Sequence, residues 1–121
     1  MSKNDTYLAV FLGSPDGPRR EAWNAMSDEE RRAREQEGMA AWGGWVEAHR
    51  DAIVDNGGPL GKTKRISVEG VSDVSNDLAV FMLVRAPSHE AAARMFERHP
   101  HFAIFPGEAI EVMPLVPIPG Q

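Results

Sequence analysis

The sequence predicts an α+β domain in which helices cover one face of a four-stranded antiparallel sheet. Two segments, residues 7–12 and 78–84, are apolar throughout, which is typical of strands buried on both faces. Two others, residues 63–69 and 109–116, carry charges or a proline, which is typical of strands at a sheet edge. A helical pattern follows the first strand and another follows the third, so the elements run β-α-β-β-α-β.

The first helix is predicted to begin at Ser27, because Glu30 lies three residues further on and the pair can form a capping box. Apolar residues beyond it recur at steps of three and four, which places them on one helical face. This stripe consists of Met39, Trp42, Val46, His49 and Ile53. The Gly-Gly-Pro run at residues 57–59 is predicted to end the helix. Residues 13–20, with two prolines and two glycines, are predicted to form a loop.

Polar residues and prolines set the element boundaries in the second half of the chain. Residues 70–77 are predicted to form a polar turn between the second and third strands. Ser88 is predicted to cap the second helix, which ends at His99-Pro100. Pro114 lies inside the last strand and therefore places that strand at a sheet edge.

This order of elements is the split βαβ, ferredoxin-like arrangement, in which the first and third strands are central. The two fully apolar segments are the first and third strands, so pattern and topology agree. Two helices cover only one face of a four-stranded sheet, and the second apolar face needs another cover. A second copy of the sheet is the simplest cover, so we expect a homodimer with two-fold symmetry.

Length and composition limit the classes of function. The 121 residues are expected to form one domain, residues 1–121, long enough to bury a core without disulfides. No cysteine is present, which excludes disulfides, thiolate metal sites and a cysteine nucleophile. The net charge of −5 argues against a general nucleic-acid binder. Because neither a signal-peptide pattern nor an apolar run of membrane-spanning length is found, we expect a cytoplasmic location without membrane association.

Two histidines are the residues best suited to chemistry. His99 and His101 flank a proline at a predicted helix end, where they can act as a general acid and base. The alternative is a structural role, in which the negative end of the helix favours His99. A metal would need a third ligand from His49, Asp77 or Glu108, and no spacing identifies one. Haem with His49, His99 or His101 as axial ligand is a further alternative without a specific sign in the sequence, so no metal and no cofactor is predicted.

Five further residues are candidates for the same site. Asp77 adjoins the third strand, where a carboxylate can be desolvated, although it also suits a turn. Trp42 and Trp45 can form an aromatic pocket wall, and His49 lies on the same apolar stripe as Trp42; core positions are the alternative for all three. Lys64 can attract an anionic ligand, although a lysine on an edge strand is commonly solvated.

Several short motifs, taken in their order along the chain, resemble uncharacterised bacterial members of the YCII-related family. They are Gly61-Lys62-Thr63-Lys64-Arg65, Gly70-Val71-Ser72-Asp73, Asn76-Asp77, Ser88-His89-Glu90-Ala91-Ala92-Ala93, His99-Pro100-His101 and Ile110-Glu111-Val112-Met113. The stretch Trp42-Gly43-Gly44-Trp45 is similar to a Trp-x-x-Trp pattern found there. The resemblance spans residues 7–114 and implies a dimeric α+β barrel, a fold shared with monooxygenases, muconolactone isomerases and chlorite dismutases.

The resemblance also shows where this chain departs from the family. Better-studied members are proposed to use a histidine early on the first helix and an aspartate that precedes a proline. Here the helix position falls near Trp42, and the aspartate position is matched by His99 before Pro100. The histidine and aspartate proposed as the family's catalytic pair are therefore replaced here by residues of other types.

Two functions are consistent with these residues. The first is a small cofactor-independent enzyme that binds a small organic molecule between the sheet and the first helix and acts on it by acid/base chemistry. Its predicted catalytic residues are His99, His101 and Asp77. Its predicted substrate-binding residues are Trp42, Trp45, His49 and Lys64. The second function is a non-catalytic module that binds a small ligand or a protein through the same cavity or the dimer surface.

Overall fold

The architecture is a four-stranded antiparallel sheet with helices packed on one face, and a separate two-stranded hairpin. The structure is a computed structural model that describes residues 5–120. Its strands are β1 Asp5–Leu12, β2 Ile53–Pro59, β3 Thr63–Ser67, β4 Gly70–Val74, β5 Leu78–Ala86 and β6 Ala109–Pro114. Its helices are α1 Pro18–Ala25, α2 Asp28–Ala48, α3 His89–Arg94 and α4 Pro100–Ala103. The sheet order β2-β5-β1-β6 confirms the predicted ferredoxin-like α+β fold, with the two apolar strands in the centre.

The core lies between the helices and one face of the central strands. Alternate residues of β1 and β5 point into it, as the two-residue period of a strand requires. The buried cluster consists of Tyr7, Ala9, Phe11, Met82, Val84, Ala86, Ala92 and Phe96. Trp42 and Trp45 of α2 pack against it and close the helical side.

The opposite face of the sheet is apolar and half exposed. Its residues on the two central strands are Leu8, Val10, Leu12, Phe81 and Leu83. Val10, near the middle of this face, pairs with Phe81 on one side and with Glu111 of β6 on the other. Within the single chain β1 and β5 are buried on one face only, because none of the helices within residues 5–120 covers this side; the expected cover is a second copy.

The second strand of the sheet is residues 53–59 and not the predicted 63–69. Helix α2 ends at Ala48, and a 3-10 turn at Arg50–Ala52 leads into β2. Gly57 has a φ of 60° and lies against the Phe81 carbonyl, where a Cβ atom would overlap, so only glycine allows β2 to bulge along β5. Pro59 is tolerated because β2 is an edge strand. The Gly-Gly-Pro run therefore lies inside a strand and does not end the helix.

The alternating segment that was predicted as the second strand forms a hairpin outside the sheet. Here β3 pairs with β4, which occupies residues predicted to be a turn. Lys64 of β3 forms an ion pair with Asp73 of β4, with 2.6 Å between Nζ and Oδ1. The alternation of polar and apolar residues in this segment does indicate a strand, but the strand pairs with β4 of the same hairpin and not with the sheet. By contrast, β6 lies at a sheet edge as Pro114 predicted.

Two predicted helix starts are confirmed. The Ser27 hydroxyl accepts a hydrogen bond from the Glu30 backbone N–H at 3.1 Å, and the Glu30 carboxylate accepts one from the Ser27 backbone N–H at 3.0 Å. Hydrogen bonds to the Glu30 carboxylate, first from the Ser27 backbone N–H and then from the Ser27 side chain, lower the pKa of Glu30. The Ser88 hydroxyl likewise accepts from the Ala91 N–H at 3.0 Å and caps α3.

Two helices lie where none was predicted. Helix α1 begins at Pro18, inside the predicted loop, because proline suits the first position of a helix, where no N–H is needed. Helix α3 ends at Arg94, so His99-Pro100 begins α4 and does not end a helix. The His99 ring caps α4, since its Nδ1 accepts the His101 backbone N–H at 3.0 Å. None of the helices within residues 5–120, α2 included, is long and apolar enough to cross a membrane.

Candidate functional site

A cavity of about 490 Å³ lies between α1, α2, β2, the β5 residues beside it and the segment that follows α4. Its aromatic wall is formed by Trp23, Trp42 and Phe105. Its polar side chains are Arg20, Glu35, Asn56 and His101. The ring centroid of Phe105 is 5.8 Å from that of Trp23 and 6.3 Å from that of Trp42, so the three rings form a continuous surface. A cavity of this size and character accommodates a small organic molecule.

His101 is the titratable group best placed in this cavity, because it lines the wall and is nonetheless buried. Its Nε2 atom lies 2.8 Å from the carbonyl oxygen of Leu12. A carbonyl oxygen only accepts hydrogen bonds, so Nε2 carries the proton and Nδ1 keeps a lone pair. Burial lowers the pKa of His101, the Leu12 carbonyl opposes that shift in part, and the nearby Arg19 cation adds to it. The imidazole is therefore neutral at neutral pH.

The loop after α4 holds this imidazole in place. Gly107 packs against the Nε2 and Cε1 edge of the His101 ring, where a Cβ atom would overlap the ring. Its N–H donates to the His101 carbonyl at 2.9 Å. Arg19 of α1 donates from Nε to the Gly107 carbonyl at 2.7 Å and from its guanidinium to the Phe102 carbonyl. Helix α1 is thus tied to the segment that carries His101.

His99 lies behind the cavity wall and is fully buried. Its ring centroid is 4.6 Å from that of Trp42, 4.8 Å from that of Trp45 and 5.1 Å from that of Phe11. Because Nδ1 accepts the His101 N–H, the neutral ring carries its proton on Nε2, which has no hydrogen-bond partner among the described residues. Burial, followed by the charges of His101 and His49, lowers the pKa of His99 to about 3. His99 is a neutral support for His101 and does not line the cavity.

The two indoles of α2 have different places. Trp42 lines the cavity and stacks on Phe11, with 5.4 Å between centroids. Trp45 packs in the core, and its Nε1 donates to the Met95 carbonyl at 3.1 Å. His49 stacks on Trp45 at 4.3 Å and donates from Nδ1 to the Trp45 carbonyl at 2.8 Å. Trp45 and His49 therefore lie outside the lining of the cavity.

The two remaining candidates lie away from the cavity wall. Asp77 is exposed, and its backbone carbonyl accepts from the Gly13 N–H at 2.9 Å. Lys64 is bound to Asp73 on the hairpin and lines a different surface groove there. Of the seven residues predicted for the site, the cavity brings together His101 and Trp42 only. Within residues 5–120, no three His, Asp or Glu side chains are grouped so that they could hold a metal ion.

The cavity also contains residues that the sequence analysis missed. They are Arg20, Trp23, Glu35, Asn56 and Phe105. Arg20 and Trp23 were missed because residues 18–25 were not recognised as a helix. The available signal was Pro18 followed by an arginine and a tryptophan three residues apart, a spacing that puts both on one helical side. Asn56 was missed because its strand was interpreted as the end of a helix.

Comparisons with known proteins find similarity in structure only. No protein-family model matches the chain, and no curated protein matches it in sequence. A similar solved structure is 5-chloro-2-hydroxyhydroquinone dehydrochlorinase (TftG) from Burkholderia phenoliruptrix AC1100, in complex with 2,5-dihydroxybenzoquinone. The match covers 88% of this chain and 89% of that one, with 18% identity and a TM-score of 0.51. This likeness supports the fold, and one solved structure with that fold is therefore an enzyme.

Two weaker structural matches complete the comparison. The 30S ribosomal protein S6 of Thermotoga maritima matches over 93% of this chain and 89% of that one, with 14% identity and a TM-score of 0.39. The protein Rv0793 of Mycobacterium tuberculosis matches over 96% of each chain, with 14% identity and a TM-score of 0.35. Neither similarity is close enough to carry an argument about function.

Proposed function

We propose that this protein is a small enzyme that binds a small organic molecule beside Trp42 and moves a proton with the imidazole of His101. The observation that carries the proposal is a buried, neutral histidine in the wall of an aromatic cavity of about 490 Å³. Buried titratable groups with shifted pKa values are concentrated at functional sites, because catalysis needs them in a defined protonation state. We also propose that the chain is a member of the YCII-related family, which its sequence motifs resemble.

In this proposal His101 acts first as a general base. Nδ1 holds the lone pair, while the Leu12 carbonyl accepts the Nε2 proton at 2.8 Å and orients the ring. When Nδ1 takes a proton from the bound molecule, the same carbonyl stabilises the imidazolium that forms. Proton abstraction next to a carbonyl group, isomerisation and hydrolysis all fit a single neutral base of this kind, and none of them requires a cofactor.

The other predicted residues take more limited roles. Trp42 forms part of the wall, and His99 positions His101 through the bond from the His101 N–H. Asp77, Lys64, Trp45 and His49 have no part in the proposed chemistry, because none of them lines the cavity.

A proton-exchange assay tests this proposal without knowledge of the substrate. A panel of small ketones, keto acids and phenols, with 2,5-dihydroxybenzoquinone included, is incubated with the protein in D₂O, and loss of C–H signals is followed by proton NMR. We expect the wild type to accelerate exchange in at least one compound. His101→Gln should reduce that rate by roughly a hundredfold or more, the usual contribution of a general base.

The control is His89→Gln, because His89 is an exposed histidine outside the cavity lining. It should exchange protons at the wild-type rate. If compounds bind to the cavity but none exchanges, the protein is a ligand-binding module, which was the alternative expected from the sequence. If His101→Gln exchanges as fast as the wild type, His101 is not the base.

We also propose that the protein is a homodimer whose two sheets pack face to face, as in a dimeric α+β barrel. The half-exposed apolar face described above supports this, since contiguous apolar surface of this kind is commonly an interface. A two-fold axis through this face would bring the same row of apolar side chains from each copy into contact. The occupant we assign to the face is a second copy of this chain.

A further inference from the structure

We infer that the cavity takes a planar organic anion whose negative group is bound by the guanidinium of Arg20 while its ring lies against Trp23, Trp42 and Phe105. This inference rests on the proposed function and names the substrate class for the same site. It assigns the binding of charge to a residue on α1 that the sequence analysis did not consider.

The first observation is that Arg20 has no acidic partner. It is half-buried in the cavity wall, and within residues 5–120 no carboxylate oxygen lies within 4.0 Å of its guanidinium. Its neighbour Arg19 differs, because its guanidinium binds two backbone carbonyls and has a structural role. A partly desolvated cation with no carboxylate partner among residues 5–120 is available for an anionic ligand.

The second observation is the shape that the cavity offers beside this cation. Phe105 is inclined by 46° to Trp23 and by 63° to Trp42, with centroid separations of 5.8 and 6.3 Å, so a flat molecule can pack on one ring and meet the others at an angle. A guanidinium is planar and donates two parallel hydrogen bonds, which matches a carboxylate or two neighbouring oxygens on a ring. An aromatic or quinone-like acid satisfies both features at once.

The expected charge of the ligand follows from the different burial of the two charged side chains in the cavity wall, Arg20 and Glu35. Glu35 also lines the cavity, but it is exposed, so water screens its carboxylate. Arg20 is half-buried and its charge is screened less. His101 is neutral and adds no charge. The field inside the cavity is therefore set chiefly by Arg20 and favours an anion.

This assignment also fits the proposed chemistry. When His101 removes a proton next to a carbonyl group, negative charge develops on the carbonyl oxygen. A cation in the cavity wall stabilises this additional charge more than it stabilises the uncharged carbonyl group of the starting anion, which accelerates the reaction. Arg20 would thus act in binding and in stabilising the developing enolate.

Binding of three matched probes tests the inference. Benzoate, benzamide and benzamidine share a planar ring and differ in charge, and their binding is followed by quenching of tryptophan fluorescence. We expect benzoate to bind at least about tenfold more tightly than benzamide, as a charge-assisted hydrogen bond provides. Arg20→Gln should remove this preference, and Glu35→Gln should strengthen benzoate binding. Arg32→Gln is the matched control, because Arg32 is exposed on α2 and outside the cavity lining.

The outcomes separate this inference from the proposed function. If benzoate and benzamide bind alike, and Arg20→Gln changes neither, the anion assignment is wrong while the cavity remains a small-molecule site. If benzamidine is preferred and Glu35→Gln removes that preference, the cavity selects cations and the inference is overturned. If none of the three probes binds, the inference is overturned, while the proton-exchange assay still decides the proposed function.

Discussion

At the residue scale, the two histidines of one short segment have opposite tasks. His101 lines the cavity and keeps a lone pair on Nδ1, because the Leu12 carbonyl holds the proton on Nε2. His99 is sealed among aromatic rings and accepts the backbone N–H of His101. Pro100 between them begins α4 and fixes the backbone that sets this spacing. His99 therefore stabilises the turn that places His101, the base in the proposed function, in the cavity wall.

The buried neutral state of His99 predicts a loss of stability in acid. The unfolded chain protonates this histidine near pH 6.5, whereas the folded chain does so only near pH 3, so the unfolded state binds more protons between these values. The free energy of unfolding should therefore fall as the pH falls through this window. Each such histidine contributes up to about 1.4 kcal/mol per pH unit. Urea unfolding at several pH values between about 4 and 7.5 measures how steeply the free energy of unfolding depends on pH. This range covers the upper part of the window between the two pKa values.

The variant that isolates this effect is His99→Asn. Its side-chain oxygen can replace Nδ1 as acceptor for the His101 N–H, but it does not titrate. We expect lower stability at pH 7, because the smaller side chain leaves a cavity, and a clearly flatter pH dependence than the wild type. His89→Asn, at an exposed histidine, should leave the slope unchanged. An equal slope in His99→Asn and the wild type would mean that His99 is not buried as a neutral ring.

At the element scale, local signals predicted the elements that are stabilised locally. The capping box at Ser27 was found because both of its hydrogen bonds join residues three apart. Helix α1 and strand β2 were missed for the opposite reason. Proline and glycine in residues 13–20 and 57–59 resemble loop and stop signals, but Pro18 begins a helix and Gly57 permits a bulge against β5. The bulge at Gly57 depends on β5, a tertiary neighbour that the local pattern does not contain, whereas the local signal of α1 was outweighed by its prolines and glycines.

The capping box makes a prediction for helix α2. Ser27→Ala removes the acceptor of the Glu30 N–H and should lower the free energy of unfolding by about 1 kcal/mol. Ser27→Asp should retain most of the stability, since aspartate is an equally good cap. Thermal and urea unfolding measure both variants. Ser75→Ala, at an exposed serine of the loop before β5, is the control. If Ser27→Ala is as stable as this control, the Ser27 cap does not stabilise the protein.

At the scale of the whole molecule, the fold could be predicted and the cavity could not. Central strands are more buried than edge strands, so their segments are apolar, whereas edge segments contain polar residues or proline. The order of strands in the sheet could therefore be predicted from the residue types along the chain. The cavity is assembled from α1, α2, β2, β5 and the segment after α4, so its members share no spacing in the sequence. His101 and Trp42 were identified by residue type, whereas Arg20 required the position of a helix that had been missed.

The uncovered sheet face makes a prediction about assembly. The wild type should sediment as a dimer of about twice 13.3 kDa at micromolar concentration, because the second copy covers Val10 and its neighbours. Val10→Lys should shift it towards monomer, while the new charge lies opposite Glu111 of β6 and leaves the fold intact. Val68→Lys, at a fully exposed residue of the hairpin, is the matched control. A monomeric wild type, or a Val10→Lys variant that stays dimeric, would contradict the proposal.

In the proposed function, a neutral, buried His101 acts as the base. The dependence of the deuterium-exchange rate on pH is the measurement that tests this role. The base works only when Nδ1 is unprotonated, and burial lowers the pKa of His101 below the usual 6.5. The rate should therefore fall to half its maximum at a pH below 6.5, and the activity should disappear in His101→Gln. A half-maximal rate at pH 6.5 or higher, or a His101→Gln variant with the wild-type profile, would contradict it.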